Sequence, residues 1–373
     1  MRGAVPRRAS LGAMDAVTFL AGGREAFPRM LEAIDGARQS IDLEVYRFAR
    51  DGVGDRFRQA LSAAALRGVR VRVVVDGWGT ALDGRWLQAM LRADGCEVRI
   101  HNPLVSLLVG RFRRDHRKVL VVDGAVAYLG GINIADEYGN VGPPRAPDEE
   151  ARSADWLDAA VEIRGPVAAW IGARERGVRP PPPPGPVRVW LSGLGGARPL
   201  RKRYRKAFGA ARREILVAHS YFLPDRRFVR SVTAAARRGV RVRLLLAGRS
   251  DVPLARAGTV RLYRQLLAAG VEIREWTRSV HHAKVAVVDG ERLLLGSFNL
   301  DPYSLSNLEA LVEAEEAPTA AAARRWVEGL LAEGAPVQGA EDGPLAIRRR
   351  LVDGVGLAVA RLAQWVARVL ASR

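Results

Sequence analysis

The chain of 373 residues has a single cysteine, four lysines and five histidines, and it lacks any long uninterrupted apolar run. The lone Cys96 excludes an internal disulfide framework and a metal site built from several cysteines. No window holds the roughly 18 uncharged apolar residues that a membrane-spanning helix requires, and the N-terminus lacks the pattern of a secretion signal. We therefore expect a soluble or peripheral protein.

The shortage of lysine contrasts with a large excess of positive charge. Lysine and arginine together number 59, aspartate and glutamate number 40, and the formal net charge is +19. Charge of this size favours a polyanionic partner, either nucleic acid or an anionic membrane surface, and composition alone does not choose between them. Because arginine replaces lysine almost everywhere, the lysines that remain are informative. They are Lys118, Lys202, Lys206 and Lys284.

The length of the chain predicts two domains. The run RPPPPPGP is incompatible with a helix or a sheet interior, so it predicts an extended spacer near the middle of the chain. The predicted units are an N-terminal extension, a first domain, the proline-rich spacer, a second domain and a C-terminal tail, at 1–15, 16–178, 179–186, 187–335 and 336–373 respectively.

The C-terminal tail has a helical pattern of its own. Over 346–370, apolar residues recur at helical spacing and charged residues, mostly arginines, lie on the opposite side, which predicts a basic amphipathic helix. Two interpretations are open: the helix packs on its own domain, or it docks into a membrane interface with Trp365 at headgroup depth.

Each half contains a helix-to-strand element of nearly the same sequence. The first copy is AAALRGVRVRVVVDG at 63–77, and the second is AAARRGVRVRLLLAG at 234–248. Each copy indicates the end of a helix, a glycine break and a strand that runs into a buried apolar segment. Together with the helical patterns before these strands, the copies predict a layered α/β domain made twice.

A second repeated pattern contains histidine, lysine and aspartate. It reads DHRKVLVVDGAVAYLGGIN at 115–133 and HHAKVAVVDGERLLLGSFN at 281–299, with the same internal spacing. One such stretch can be a buried strand with a satisfied histidine, but two gapless copies favour a functional role. The matched pairs are His116 and His282, Lys118 and Lys284, Asp123 and Asp289, Gly124 and Gly290, Gly130 and Gly296, and Asn133 and Asn299.

Strand geometry predicts which side chains of the motif share a face. Alternation places His116 and Lys118 on one face and Arg117 on the other. Asp123-Gly124 and Asp289-Gly290 are tight-turn signals, so each motif is expected to fold into a hairpin.

If the hairpin closes with residue 122 opposite 125, Gly131 lies beside His116 and Asn133 lies just beyond. The same register places Ser297 beside His282, with Asn299 just beyond. Small residues at these ends are expected to leave room for a ligand to approach the backbone. They are Gly130, Gly131, Gly296 and Ser297.

A cleft that contains both motif ends has the groups needed for phosphoryl transfer without a metal. One imidazole can attack as a nucleophile while the other protonates the leaving group. Two ammonium groups and two carboxamides can hold phosphate oxygens and stabilise charge in the transition state. The motifs contain no cluster of metal-ligand carboxylates, and the sequence shows neither a P-loop nor a dinucleotide fingerprint, so no cofactor is expected.

The pattern H-x-K-x4-D followed by G-G/S-x-N, present twice, closely resembles the HKD motif of the phospholipase D superfamily. The resemblance covers roughly residues 16–335 and implies two similar α/β/α sandwich domains with mixed sheets, related by a pseudo-twofold axis, with one active site between them. The flanking sequences are most similar to bacterial cardiolipin synthases of the short, peripheral type. Such enzymes join two phosphatidylglycerols and release glycerol through a phosphohistidine intermediate.

The resemblance also implies roles for individual residues. His116 attacks the donor phosphorus, and His282 protonates the departing alcohol and then deprotonates the acceptor. Asp158 is expected to orient His282, and Glu309 to orient His116. The predicted motif residues are His116, Lys118, Asp123, His282, Lys284 and Asp289, of which the two aspartates fit a turn-stabilising role better than a chemical one. The predicted supporting residues are Asn133, Asn299, Gly131, Ser297, Asp158 and Glu309.

The main alternative is a hydrolase of the same superfamily, a phospholipase D, phosphodiesterase or nuclease that uses water as the acceptor. The cardiolipin synthase-like flanks and the basic amphipathic tail favour an anionic phospholipid substrate and a membrane surface, and make nucleic acid an unlikely partner. We expect a peripheral enzyme on the cytoplasmic side of the cell membrane. The oligomeric state is left open by the sequence.

Overall fold

The architecture consists of two mixed β-sheets with helices packed on their faces. The computed structural model describes residues 15–81, 83–103, 113–139, 155–193 and 196–337. The predicted tail helix and all but the last residue of the predicted N-terminal extension lie outside these ranges. The boundaries proposed for the domains stay a prediction, although all strands of the first sheet precede the proline-rich spacer and all strands of the second follow it.

The first sheet has seven strands in the order β1-β7-β6-β5-β2-β3-β4. Strands β2, β3 and β4 are mutually parallel, and the remaining neighbours are antiparallel. The strands are β1 (Ala16–Leu20), β2 (Ser40–Val45), β3 (Arg70–Asp76), β4 (Glu97–His101), β5 (Lys118–Val122), β6 (Val126–Gly130) and β7 (Ala160–Arg164).

The second sheet repeats this order and adds one short strand at its edge: β15-β11-β10-β9-β12-β13-β14-β8. Strand β12 therefore occupies the place of β5, and β9 that of β2. The predicted pair of α/β domains with mixed sheets is confirmed. The strands are β8 (Val187–Leu191), β9 (Glu214–His219), β10 (Arg241–Ala247), β11 (Glu272–Trp276), β12 (Lys284–Val288), β13 (Arg292–Gly296), β14 (Ala310–Ala314) and β15 (Ala335–Pro336).

Two equivalent helices begin at an aspartate that caps their first turn. Asp51 caps one helix by accepting a hydrogen bond from the backbone of Gly54, and Asp225 caps its counterpart in the same manner. The helices are α1 (Gly23–Asp35), α2 (Gly52–Leu66), α3 (Gly84–Ala93), α4 (Pro166–Glu175), α5 (Arg198–Ala210), α6 (Arg226–Arg237), α7 (Pro253–Leu267) and α8 (Ala317–Glu333). The two repeated helix-to-strand elements are thus α2 to β3 and α6 to β10, as predicted.

Three apolar cores hold these layers together. One lies between the first sheet and helices α1 to α3, and another between the second sheet and helices α5 to α7. The third combines buried side chains of both sheets, such as Val121 and Val287, with those of α4 and α8. This shared core fixes the two halves against each other, so residues from both can form one site.

Each motif forms a hairpin whose turn is the predicted one but whose register differs by one residue from the prediction. Asp123 and Gly124 both have positive φ, at 53° and 63°, and the nitrogen of Ala125 bonds the carbonyl oxygen of Val122 at 2.9 Å. The ladder then pairs Val122 with Val126, because Ala125 is an additional residue in the returning strand. The second hairpin has the same extra position, with Val288 opposite Arg292. The predicted placement of Gly131 beside His116 and of Ser297 beside His282 is therefore wrong.

The motif aspartates are anchors for a neighbouring loop. Asp123 accepts hydrogen bonds from three backbone nitrogens that lead into β2, at 2.8 to 2.9 Å, from Arg38, Gln39 and Ser40. Asp289 does the same for the segment that leads into β9, with Arg212, Arg213 and Glu214. Burial alone would raise the pKa of both carboxyls, but these hydrogen bonds outweigh it and hold each pKa below its ordinary value.

We expect Asp123→Ala and Asp289→Ala to lower stability rather than chemistry. Each change removes the acceptor of three hydrogen bonds at a partly solvated turn, which costs about 1–2 kcal/mol in the free energy of unfolding. Chemical denaturation measures this loss, and activity at a temperature where the variants are folded should stay within a few-fold of wild type. Glu291→Ala, which removes only a surface ion pair with Arg213, is the matched control. A large loss of activity without a loss of stability would contradict this assignment.

Candidate active site

The two motif histidines are held by backbone contacts that cross between the halves. Asp115 forms an isolated parallel bridge with Leu308, and Leu157 forms one with His281. The nitrogen of His116 donates to the Leu308 oxygen at 2.9 Å, and the nitrogen of His282 donates to the Leu157 oxygen at 2.8 Å. Each motif therefore starts its strand against a segment supplied by the other half.

The carboxylates are exchanged between the halves: the carboxylate that contacts each motif histidine comes from the other half of the chain, one residue after the bridging residue. Nδ1 of His116 lies 3.1 Å from Oε2 of Glu309, and Nδ1 of His282 lies 2.7 Å from Oδ2 of Asp158. All four side chains are buried. The contacts expected from the family resemblance are present. They occupy Nδ1 of each ring and leave Nε2 for a reacting group.

Each motif lysine folds back onto its own histidine. Nζ of Lys118 donates to the carbonyl oxygen of His116 at 2.9 Å. Nζ of Lys284 donates to the carbonyl oxygen of His282 and lies 3.0 Å from Nδ1 of the same residue. Arg117 points the other way, where it pairs with Asp115 and other carboxylates. Among the motif residues, the cationic groups beside the histidines are therefore the lysines, and the alternation predicted for β5 is correct.

Burial sets the protonation of these groups. It lowers the pKa of His116 well below its ordinary value and lowers that of His282, with the neighbouring lysines acting in the same direction. It lowers the pKa of Lys118 to about 7 and also lowers that of Lys284, although nearby carboxylates oppose the change. Burial raises the pKa of Glu309 well above its ordinary value. Without substrate, both imidazoles are thus neutral near pH 7, which is the form required of a nucleophile or a base; a histidine that acts as the acid must first gain a proton.

The residues at 131 and 297 contact the carboxylates and not the histidines. A side chain at Gly131 would approach Oδ1 of Asp158 to 2.2 Å, so only glycine fits there. Ser297, its counterpart, donates from Oγ to Oε2 of Glu309 at 2.5 Å. The two carboxylates therefore have different surroundings. Asp158 packs against the backbone of Gly131, whereas Glu309 accepts a hydrogen bond from the hydroxyl of Ser297.

The glycines at the hairpin ends do not open space for a ligand. A Cβ atom at Gly130 would lie 2.4 Å from the oxygen of Ala159, and one at Gly296 would lie 2.1 Å from that of Ala310. The neighbouring strands β7 and β14 already occupy this space. The prediction that these glycines leave space for a ligand is wrong, because the neighbouring strands fill that space.

The motif asparagines are tied into the protein. Oδ1 of Asn133 accepts from the backbone nitrogen of Arg47 at 3.2 Å, and its Nδ2 donates to the hydroxyl of Tyr138 at 2.8 Å. Oδ1 of Asn299 accepts from Oγ of Ser220 at 3.2 Å. A phosphate-binding role for these two residues stays a prediction.

Aromatic residues that the motifs do not include surround His282. The ring centroids of Tyr138, Trp156 and Tyr221 lie 5.6, 5.6 and 5.9 Å from that of His282. His116 has Tyr46 at 4.8 Å. Sequence reasoning missed these residues; the available signal was their position just after β2, just after β9, shortly after the first motif and two residues before Asp158. Within the described ranges, no three His, Cys, Asp or Glu side chains are grouped as metal ligands.

A duplicated sheet order, a shared core and two histidines with exchanged carboxylates define a phospholipase D-like architecture. The chain matches the family described as cardiolipin synthase, PLD-like domain, over residues 30–139 and 204–331. It belongs to that family. The predicted recognition is confirmed, and so is the expectation of a cardiolipin synthase-like phosphatidyltransferase at the level of the family.

Two relatives are named cardiolipin synthases. Cardiolipin synthase B of Escherichia coli (strain K12) is 35% identical over 311 residues, which cover 79% of this chain and 75% of the relative. A cardiolipin synthase of Geobacillus thermodenitrificans (strain NG80-2) is 30% identical over 318 residues, 79% of this chain and 61% of the relative.

The solved structures support the fold. A phosphatidylserine synthase from Haemophilus influenzae Rd KW20 superposes with a TM-score of 0.72 over 96% of both chains, at 16% identity. A polyphosphate kinase from Porphyromonas gingivalis has a TM-score of 0.54 over 92% of this chain and 55% of its own, at 14% identity. At such low identity the likeness concerns architecture alone.

Proposed function

We propose that this protein transfers a phosphatidyl group from one phosphatidylglycerol to another, forming cardiolipin and glycerol. The named relatives supply the reaction class. The observation that carries the proposal is the pair of buried histidines, each with a lysine from its own half and a carboxylate from the other. Two similar but separately tuned imidazoles suit two consecutive displacements at one phosphorus.

In the first displacement, Nε2 of His116 attacks the donor phosphorus. The P–O bond to the leaving glycerol breaks, and His282 gives that oxygen a proton. Glu309 holds His116 through Nδ1, so that the attacking nitrogen points at the substrate. Asp158 does the same for His282 and stabilises its protonated form, which the negative phosphodiester also favours.

In the second displacement, His282 takes the proton from the hydroxyl of the acceptor phosphatidylglycerol. The new P–O bond forms as the P–N bond to His116 breaks, which returns both imidazoles to their starting state. Lys118 and Lys284 stabilise charge on the non-bridging oxygens in both steps. With water in place of the acceptor, the same steps give hydrolysis.

The pKa of Lys118 gives a pH prediction. Because burial lowers this pKa to about 7, the ammonium loses its proton as pH rises through that value, and kcat/KM should fall on the alkaline side. A pH profile of kcat/KM checks this. In Lys118→Arg the guanidinium stays charged, so the alkaline limb near pH 7 should disappear even if the absolute rate is lower. An unchanged limb in that variant would assign it to another group.

We further propose that the enzyme works at an anionic membrane surface as a peripheral protein on the cytoplasmic side. Among the helices of the described residues, none has the length and apolar character to cross a bilayer. Trp78 and Val252, in the loops that follow the equivalent strands β3 and β10, expose 46% and 43% of their surface. The guanidinium of Arg114 lies 4.6 Å from the centroid of the Trp78 ring. This loop therefore combines an apolar group with a cation, a combination that suits the interface of an anionic membrane.

A product assay tests the proposed function. Purified protein is incubated with vesicles of labelled phosphatidylglycerol, and lipids and soluble products are separated. Cardiolipin and glycerol in equal amounts are expected, and a His116→Ala preparation serves as the blank for contaminating enzymes. Phosphatidic acid without cardiolipin would identify a hydrolase. No lipid turnover together with cleavage of DNA would identify a nuclease.

A further inference from the structure

A tyrosine and an aspartate lie beside the histidine that exchanges protons with the alcohol. The hydroxyl of Tyr221 contacts both carboxylate oxygens of Asp251, at 2.6 and 2.7 Å, and the Tyr221 ring stands edge-on to His282. The loop of Asp251 is tied to the motif, because the nitrogen of His281 donates to the oxygen of Arg249 at 3.3 Å. Asp251 is exposed, whereas Tyr221 is partly buried.

The carboxylate acts on the interior of the site. Burial and then Asp158 have larger effects on the pKa of Tyr138 and of Lys284; the charge of Asp251 adds a smaller effect, which raises the pKa of Tyr138 and opposes the lowering of the pKa of Lys284. Burial, followed by Asp251, raises the pKa of Tyr221, so the phenol remains neutral and keeps its proton as a donor. Since one phenol proton bonds one oxygen at a time, the other oxygen of Asp251 is free to accept a hydrogen bond.

The equivalent place in the first half has a guanidinium where the second half has a phenol. Lys118 pairs with Val45 of β2, and Lys284 pairs with His219 of β9, so the residues two positions further along are equivalent. They are Arg47 in the first half and Tyr221 in the second. Arg47 bonds Glu137 at 2.5 Å and keeps 42% of its side chain exposed. The first half therefore has a guanidinium paired with a carboxylate at this place, and the second half has a neutral phenol paired with a carboxylate.

We propose that Tyr221 and Asp251 form the subsite for a headgroup with adjacent hydroxyls, such as the terminal glycerol of phosphatidylglycerol. This inference rests on the proposed function and specifies the alcohol that it uses. A carboxylate accepts hydrogen bonds from a diol and repels a phosphate or a carboxylate at the same place.

The same subsite serves both displacements. His282 gives its proton to the departing alcohol and takes one from the incoming alcohol, so both alcohols occupy the same side of the phosphorus. In the proposed reaction both are glycerol groups. One diol-binding pair beside His282 therefore recognises the leaving group of the first step and the acceptor of the second.

The test measures the partition of one intermediate between two acceptors. Phosphatidylglycerol vesicles are supplied with 1-butanol, and the ratio of cardiolipin to phosphatidylbutanol is determined for wild type, Asp251→Asn and Tyr221→Phe. Because both products arise from the same phosphoenzyme, the ratio is independent of the first step. Asp251→Asn should lower the ratio about tenfold, the effect of losing a hydrogen bond to a charged group, and Tyr221→Phe should lower it about threefold.

The control is Asp155→Asn, which removes one negative charge three residues before Asp158. Its carboxylate pairs with Arg24 and is not directed at Tyr221. The ratio should stay within about twofold of wild type. If Asp251→Asn and Tyr221→Phe reduce both products in proportion, the subsite assignment is overturned and the proposed function stands. If wild type makes neither product, the proposed function is overturned and the subsite falls with it.

Discussion

The His116→Ala variant should lose lipid transfer by a factor on the order of 10⁶, the size seen when a covalent nucleophile is removed. His282→Ala should lose about 10²–10⁴-fold, because it removes the proton transfer and leaves the attacking group in place. The two losses differ in size because the residues differ in role, although their local sequences are nearly the same. Initial rates of cardiolipin formation, measured on matched vesicles, give both values.

Trapping of the intermediate separates the two roles further. Rapid acid-free denaturation after mixing with phosphorus-labelled donor should leave label on wild type and on His282→Ala, and none on His116→Ala. His101→Ala is the control: His101 ends the edge strand β4, and its replacement should leave both rate and label near wild type. Label on His116→Ala but not on His282→Ala would reverse the assignment of nucleophile and acid.

The second large effect is expected at the exchanged carboxylates. Asp158→Asn and Glu309→Gln keep the size of each side chain but replace the carboxyl group at Nδ1 of the partner histidine by an amide. The imidazole then adopts the wrong tautomer or orientation, which in a comparable histidine–aspartate pair costs up to about 10⁴-fold. We expect losses of about 10²–10⁴-fold in kcat for both variants, with smaller changes in KM.

The carboxylate prediction needs a control for general damage to the sheet. Glu313 is buried on the same strand as Ala310, and its side chain contacts Arg203, Arg292 and Trp190. Glu313→Gln should lower thermal stability and leave kcat of the folded protein nearly unchanged. If Glu309→Gln behaved like Glu313→Gln, its contact with His116 would be structural only.

Much of the architecture could be predicted from the repeats. The helix-to-strand elements, the turns at Asp123 and Asp289 and the layered α/β class all follow from local patterns of apolar residues, glycine and turn signals. The exchanged contacts of Asp158 and Glu309 came from the family resemblance, and the structure contains them. Local sequence gives no distance between residues so far apart in the chain.

Each error in the predictions has its own physical cause. The predicted hairpin register was wrong because the same Asp-Gly signal begins both a two-residue turn and a turn that is followed by an extra residue. The extra residue is Ala125 in the first hairpin and Glu291 in the second. The glycines were assigned to ligand access because sequence does not show which strand lies behind them. Tyr221 and Asp251 were missed because they come from separate loops that only the folded sheet brings together.

The exchange of carboxylates also has a consequence for how the protein matures. His116 and Glu309 are separated by 193 positions, so the first motif leaves the ribosome long before its orienting group has been synthesised. The strands and outer core of the first half consist of its own residues, yet its histidine remains unoriented until the segment that leads into β14 arrives. Catalytic competence is thus a late event in folding and reports that the two halves have docked. During refolding, the recovery of activity should lag behind the recovery of helix content.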